Sequence, residues 1–229
     1  MTFFAPQASD AAAARERRER FGLVLGGLVI AFAIQGVAEP SAWEQVLVPA
    51  LLAATLLLSF SAANVRPRLM RWALVIAGLM VAVSVVGAVT GHVDSAAARL
   101  SNLLLVTLAP PALIVGIVRS LRSRNQVTVE AVFGVLCLYI LLGMFFAFLY
   151  GAIGRVTGRF FAQQDSTTVA HCLYFSFTTL TTVGYGDLTA ASNLGHTLSV
   201  TEALSGQIYL VTVVSVIVGN LGRVRRSQG

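Results

Sequence analysis

Charge is scarce in this chain, and lysine is missing altogether. Only 11% of the 229 residues are charged, and all 16 basic ones are Arg. A soluble domain carries about a quarter charged residues. The deficit, beside 56% hydrophobic residues, excludes an ordinary water-facing surface and points to lipid as the solvent. The formal charge of +6 does not imply a nucleic-acid partner, which needs a basic face with base-reading or stacking groups. Cysteine is nearly absent too: Cys137 and Cys172 both lie in apolar stretches, forming neither a metal spacing nor a disulfide framework. His92, His171 and His196 are too scattered for a metal site. No nucleophile–base constellation, phosphate-binding glycine loop or paired carboxylates supports an enzyme, and no cofactor is implied.

What the chain does have is long apolar runs. A spanning helix needs roughly 20 mostly apolar residues, and six runs qualify as candidates: about Phe21–Val37, Val46–Ala63, Leu69–Val89, Leu100–Val118, Val129–Ala152 and Thr197–Leu221. The shorter run Val169–Leu180 cannot span as a helix. It suits a re-entrant segment, tolerated at membrane depth where protein covers its backbone. The Arg residues sort by side: 13 fall before the first run, between the second and third, between the fourth and fifth, and after the last. Only Arg99, Arg155 and Arg159 fall on the other side. By the positive-inside rule both termini are cytoplasmic. A competing reading takes "RERRER" and the apolar run after it as a signal peptide with small residues at Gly36 and Ala38, but that run is longer than a usual signal core.

Between the re-entrant segment and the last run lies "TTLTTVGYGD", residues 178–187. A cation crossing a bilayer must have its hydration shell replaced, and backbone carbonyls do this when strands from several subunits aim them at one axis. Such a strand needs glycine, because carbonyls facing one axis force backbone angles that L-residues resist. Gly184 and Gly186 supply that freedom, Thr182 adds a hydroxyl at the inner end, and Val183 and Tyr185 would turn their side chains outward.

The pattern Thr179-x-x-Thr182-x-Gly184-Tyr185-Gly186 resembles the selectivity-filter signature of the potassium-channel superfamily, and the resemblance extends from Val129 to Leu221. The resemblance implies an all-α membrane protein with six transmembrane helices, a re-entrant pore helix and filter loop, and a homotetrameric pore in the plasma membrane. It implies K+ bound by Thr182, Val183, Gly184 and Tyr185, with Gly186 completing the filter. Tyr174 and Phe175 resemble an aromatic cuff beside Tyr185, and Thr179 and Leu180 would end the pore helix. Thr178 stands where some members carry a Glu that bonds the filter acid, here Asp187 at the outer mouth. Asp165 or Ser166 is expected to cap the pore helix, whose carboxyl end would favour a dehydrated cation.

On the last helix, Gly206 stands where related channels place a hinge, with close helix packing as the other reading. Val214, Ser215 and Val218 match cavity-facing positions. Glu202 is an acid inside an apolar helix, which is costly and needs explanation. A bond to the pore helix, a proton-sensing group and an outer-interface position are the three readings, the first favoured. His196 near the outer end could tune a pH response.

The expected organisation is a tail over 1–20, a sensor-like four-helix domain over 21–124, a pore domain over 125–222 and a short tail over 223–229. A voltage sensor moves several charges through the field, each worth ~2.3 kcal/mol per 100 mV. Between Arg99 and Arg119 there is no charge, and Pro110 and Pro111 interrupt the run instead. The expected protein is therefore a K+ channel that is not strongly voltage-gated, opened by the filter, lipid, pH, tension or an accessory partner. A less selective cation channel with the same pore is the first alternative. A transporter or non-conducting scaffold is the second, against which stands the lack of a matching second re-entrant segment.

Overall fold

The computed structural model describes residues 8–37, 42–62, 67–90, 103–108, 114, 129–163 and 167–215, and they are almost entirely helical. The helices are α1 (Ala8–Val37), α2 (Ala42–Ala62), α3 (Pro67–Val89), α4 (Val129–Thr157), α5 (Val169–Leu180) and α6 (Asn193–Tyr209). A π turn over Leu210–Val214 continues α6. Among the described residues, two stretches, Met70–Val89 and Val132–Thr157, are long and apolar enough to cross a bilayer, while Phe21–Val37, Val46–Ser61 and Val169–Leu180 are shorter apolar stretches.

Four of the six expected runs fall in α1, α2, α3 and α4, and the last overlaps α6 and its π turn, with 216–221 outside the described residues. The fourth falls mostly outside the described residues; within it, 103–108 is helical, with Leu105 and Val106 buried. Within the stretch expected as a tail over 1–20, α1 is helical from Ala8. Its sequence there is Ala, Arg and Glu with little else, among the strongest helix formers.

Burial follows helical spacing. Phe21, Val24, Leu28, Ala31 and Gln35 are the buried face of α1, and Val48, Leu52, Thr55, Leu56 and Ser59 that of α2. These faces meet closely: a Cβ on Gly27 would stand 2.7 Å from the Thr55 methyl. The buried hydroxyls of α2 return to their own helix, Thr55 to the Leu52 carbonyl at 2.8 Å and Ser59 to that of Thr55 at 2.6 Å. Helix α3 buries only small residues, Ala73, Ala77 and Ser84, and leaves Trp72, Leu74, Val75 and Leu79 exposed. That is the distribution expected of a helix with one face on protein and the rest on lipid.

Helix α4 packs against α1 on one side and α5 on another, and α5 in turn packs on α1 and α6. Gly158, at φ +88°, ends α4 in the left-handed conformation that caps a helix without a Cβ penalty. The chain then folds back through buried Phe160 and Phe161 into α5. At 12 residues, α5 is ~18 Å long, too short to span.

Candidate functional site: the loop between α5 and α6

Helix α5 starts at Thr168, whose hydroxyl accepts from the His171 amide at 3.2 Å. The cap is thus neither Asp165 nor Ser166, both outside the described residues. In the run Asp-Ser-Thr-Thr every side chain is a competent cap, and the one used is the one three residues before a free amide. Helix α5 ends where expected, at Leu180, with Thr181 donating its amide to the Phe177 carbonyl at 3.0 Å.

Beyond that end the backbone tightens onto the helix terminus. Thr182 donates to the Thr179 carbonyl at 2.9 Å, and Gly184 donates to the Thr178 carbonyl at 3.1 Å. Thr182, Gly184 and Gly186 have φ of +60°, +52° and +81°, and the intervening Val183 and Tyr185 do not share that hand. In an ordinary extended strand successive carbonyls point to opposite sides. Alternation of backbone hand brings them toward one side, and residues 182–186 alternate at every step. Gly184 and Gly186 take the positive angle without strain. Thr182 is β-branched, and its positive φ is a genuine outlier of the kind that surroundings must hold in place.

The outer end of the loop is tied down. Tyr174 and Tyr185 stack with ring centroids 6.3 Å apart and planes 5° from parallel. The Asp187 carboxylate stands beside the Tyr174 hydroxyl and disfavours its ionisation. Thr178, at the place where the resemblance puts an acid, donates to the Phe175 carbonyl at 3.0 Å, and the side chain of α5 that meets Asp187 is Tyr174, one helical turn earlier. Past Asp187, Phe161 and Ala190 form an antiparallel bridge, and Gln163 clasps Thr189 through both its amide atoms at 2.7 and 2.9 Å. His196 contacts the Ala190 carbonyl at 2.8 Å through Nε2.

Phe175 departs from the expected cuff. It is buried among Tyr150, Phe160 and Phe161, with centroids 5.4, 5.9 and 5.4 Å away. Consecutive helical residues point about 100° apart, so Tyr174 and Phe175 serve different faces of α5: the first meets the loop, the second the core.

Glu202 is fully buried and bonded on both oxygens. Ser176 of α5 donates to Oε1 at 2.5 Å and Tyr150 of α4 donates to Oε2 at 2.6 Å. Ser176 also reaches the Gly143 carbonyl at 2.7 Å. Of the three placements open to Glu202, the structure has the bond to α5, extended to α4. Gly206 lies against the end of α5, where a Cβ would come 2.3 Å from the Leu180 carbonyl oxygen. This is the close-packing geometry. Ser215 is exposed; the Val214 side chain and Val218 lie outside the described residues. Sequence reasoning missed Tyr150, Ser176 and Gln207, whose Nε2 donates to the Thr182 hydroxyl at 3.3 Å. A buried acid announced that partners must exist, but their sequence separations of 52 and 26 residues hid which.

Among the described residues, no group of three His, Cys, Asp or Glu is placed to hold a metal ion. The arrangement presents backbone oxygens and hydroxyls, the ligand set of a hard cation.

Residues 134–222 match the family model described as "Ion channel", a stretch that takes in most of α4 and all of α5, the loop and α6. Through that stretch the chain is similar to ion channel domains, which supports an ion channel as its class, and with the apolar helices it indicates a membrane protein. No curated protein and no solved structure matches the chain.

Proposed function

We propose that the protein is a potassium-selective channel that conducts K+ passively through a filter built from residues 182–186 of four identical chains. The observation that carries this reading is the alternating backbone hand at Thr182, Gly184 and Gly186, at the end of a helix too short to span. One chain supplies one strand, and a ring of carbonyls that replaces a hydration shell needs several. Asp187 stands at the outer mouth, and the carboxyl end of α5 faces the membrane interior, where its dipole favours a cation.

The reading includes a multi-pass plasma-membrane protein with both termini cytoplasmic, no enzymatic activity and weak voltage dependence. Its partners are its own copies, K+ and the bilayer, with a lipid or accessory-protein regulator open. A less selective cation pore is the second reading, favoured by the single observation that Thr182 departs from common threonine geometry. Liposomes loaded with K+ test the proposal: the wild-type chain releases K+, and Gly184→Ala abolishes release while retaining the oligomer. Oligomers that fold but release no K+ would favour a non-conducting scaffold.

A further inference from the structure

Gln207 follows Gly206 on α6, and its carboxamide reaches across to the loop, Nε2 standing 3.3 Å from Thr182 Oγ1. A long, flexible side chain is costly to fix, and this one is ordered by the contact although both residues are exposed in the single chain. Here it meets the one non-glycine residue of the loop whose backbone has the wrong hand, at φ +60°. Two hydrogen bonds bear on that residue: its own amide to the Thr179 carbonyl at 2.9 Å, and the Gln207 amide to its hydroxyl.

A threonine hydroxyl carries one proton and two lone pairs, and it rotates to suit its neighbours. Left free, it turns either its proton or a lone pair toward an arriving cation. An N–H donated to Oγ1 occupies one lone pair and holds the Thr182 side chain in one rotamer. The oxygen then has a fixed position, with a second lone pair left for another partner. We infer that Gln207 is a specificity-determining residue of the pore. It holds the Thr182 hydroxyl oxygen in place at the inner end of the filter and so sets the affinity of the innermost site for a dehydrated cation of K+ size. This rests on the proposed channel reading, in which Thr182 supplies the innermost oxygens. In the tetramer of that reading, four carboxamides surround the path immediately below the filter.

The probe is Ba2+, a hard cation close to K+ in size with twice the charge, which an oxygen cage made for K+ holds longer than K+ itself. Block of K+ current by cytoplasmic Ba2+ is measured in planar bilayers for wild type, Gln207→Leu, Gln207→Asn, Thr182→Ala and Thr182→Ala with Gln207→Leu. Asn keeps the amide but is one methylene too short to reach Oγ1. Gln207→Leu and Gln207→Asn each raise the half-blocking Ba2+ concentration about tenfold or more, and in the Thr182→Ala background Gln207→Leu shifts it less than threefold. Unchanged block in a conducting Gln207→Leu, or an equal shift in both backgrounds, overturns the inference and leaves the channel reading standing. A wild-type chain without K+ current overturns the channel reading itself. If the Gln207 variants do not conduct, the rise in oligomer melting temperature produced by Ba2+ in detergent is compared instead. It is at least halved in the variants, and an undiminished rise overturns the inference.

Discussion

Ser176 donates its hydroxyl to Glu202 at 2.5 Å, joining the helix before the loop to the helix after it. Tyr150 completes the arrangement from α4 at 2.6 Å, so one carboxyl group ties together the three helices that surround the loop. Truncating it leaves the buried Tyr150 hydroxyl without this acceptor, a loss of ~1–3 kcal/mol for a group left unsatisfied. Ser176 keeps the Gly143 carbonyl as a second acceptor, so Tyr150 bears more of the loss. Glu202→Ala is expected to lower the melting temperature of the purified protein more than Ser176→Ala does. An unchanged melting temperature for Glu202→Ala would contradict a structural role.

Gly206 gives a second test, because its two readings predict opposite things. A hinge glycine replaced by Ala changes gating and leaves stability nearly intact. Here the added methyl would meet the Leu180 carbonyl oxygen at 2.3 Å, so the helices must separate, at a cost of ~1–3 kcal/mol typical of overpacking. Gly206→Ala is expected to lower both oligomer stability and K+ flux. Reduced flux with undiminished thermal stability would restore the hinge.

Tyr174 links the outer end of the loop to the helix before it through Asp187 and the stacked Tyr185. Tyr174→Phe keeps the ring and removes the hydroxyl. The expected result is K+ flux that starts normally and decays several-fold faster, with selectivity retained. A time course identical to wild type would show that the hydroxyl does not hold the outer mouth.

Voltage should matter little. Each gating charge that crosses the field contributes ~2.3 kcal/mol per 100 mV, and the sequence has no charge between Arg99 and Arg119. Open probability measured between −100 and +100 mV, in round numbers of the range over which gating charges act, is expected to change only a few-fold. A steep sigmoid would require charges that this segment does not have.

The sequence disclosed the parts of the site that depend on local chemistry and concealed those that depend on packing. The ends of α5 at Val169 and Leu180 follow from the edges of an apolar run, and the backbone hand at Gly184 and Gly186 from glycine itself. The positive φ of Thr182 has no local signal, because a β-branched residue disfavours it and tertiary contacts impose it. Adjacent Tyr174 and Phe175 look equivalent in the sequence and separate only when α5 is placed between the loop and the Phe160–Phe161 turn. Glu202 announced its need for a partner; Tyr150, 52 residues away, becomes visible only once α4 and α6 lie side by side.

Residues 182–186 are proposed to select K+. The reversal potential of the wild-type protein in planar bilayers under bi-ionic conditions, K+ on one side and Na+ on the other, measures this directly. The expected reversal is displaced strongly toward the K+ equilibrium potential, and Gly184→Ala eliminates it together with the current. A reversal near zero in a channel that conducts both ions would contradict it.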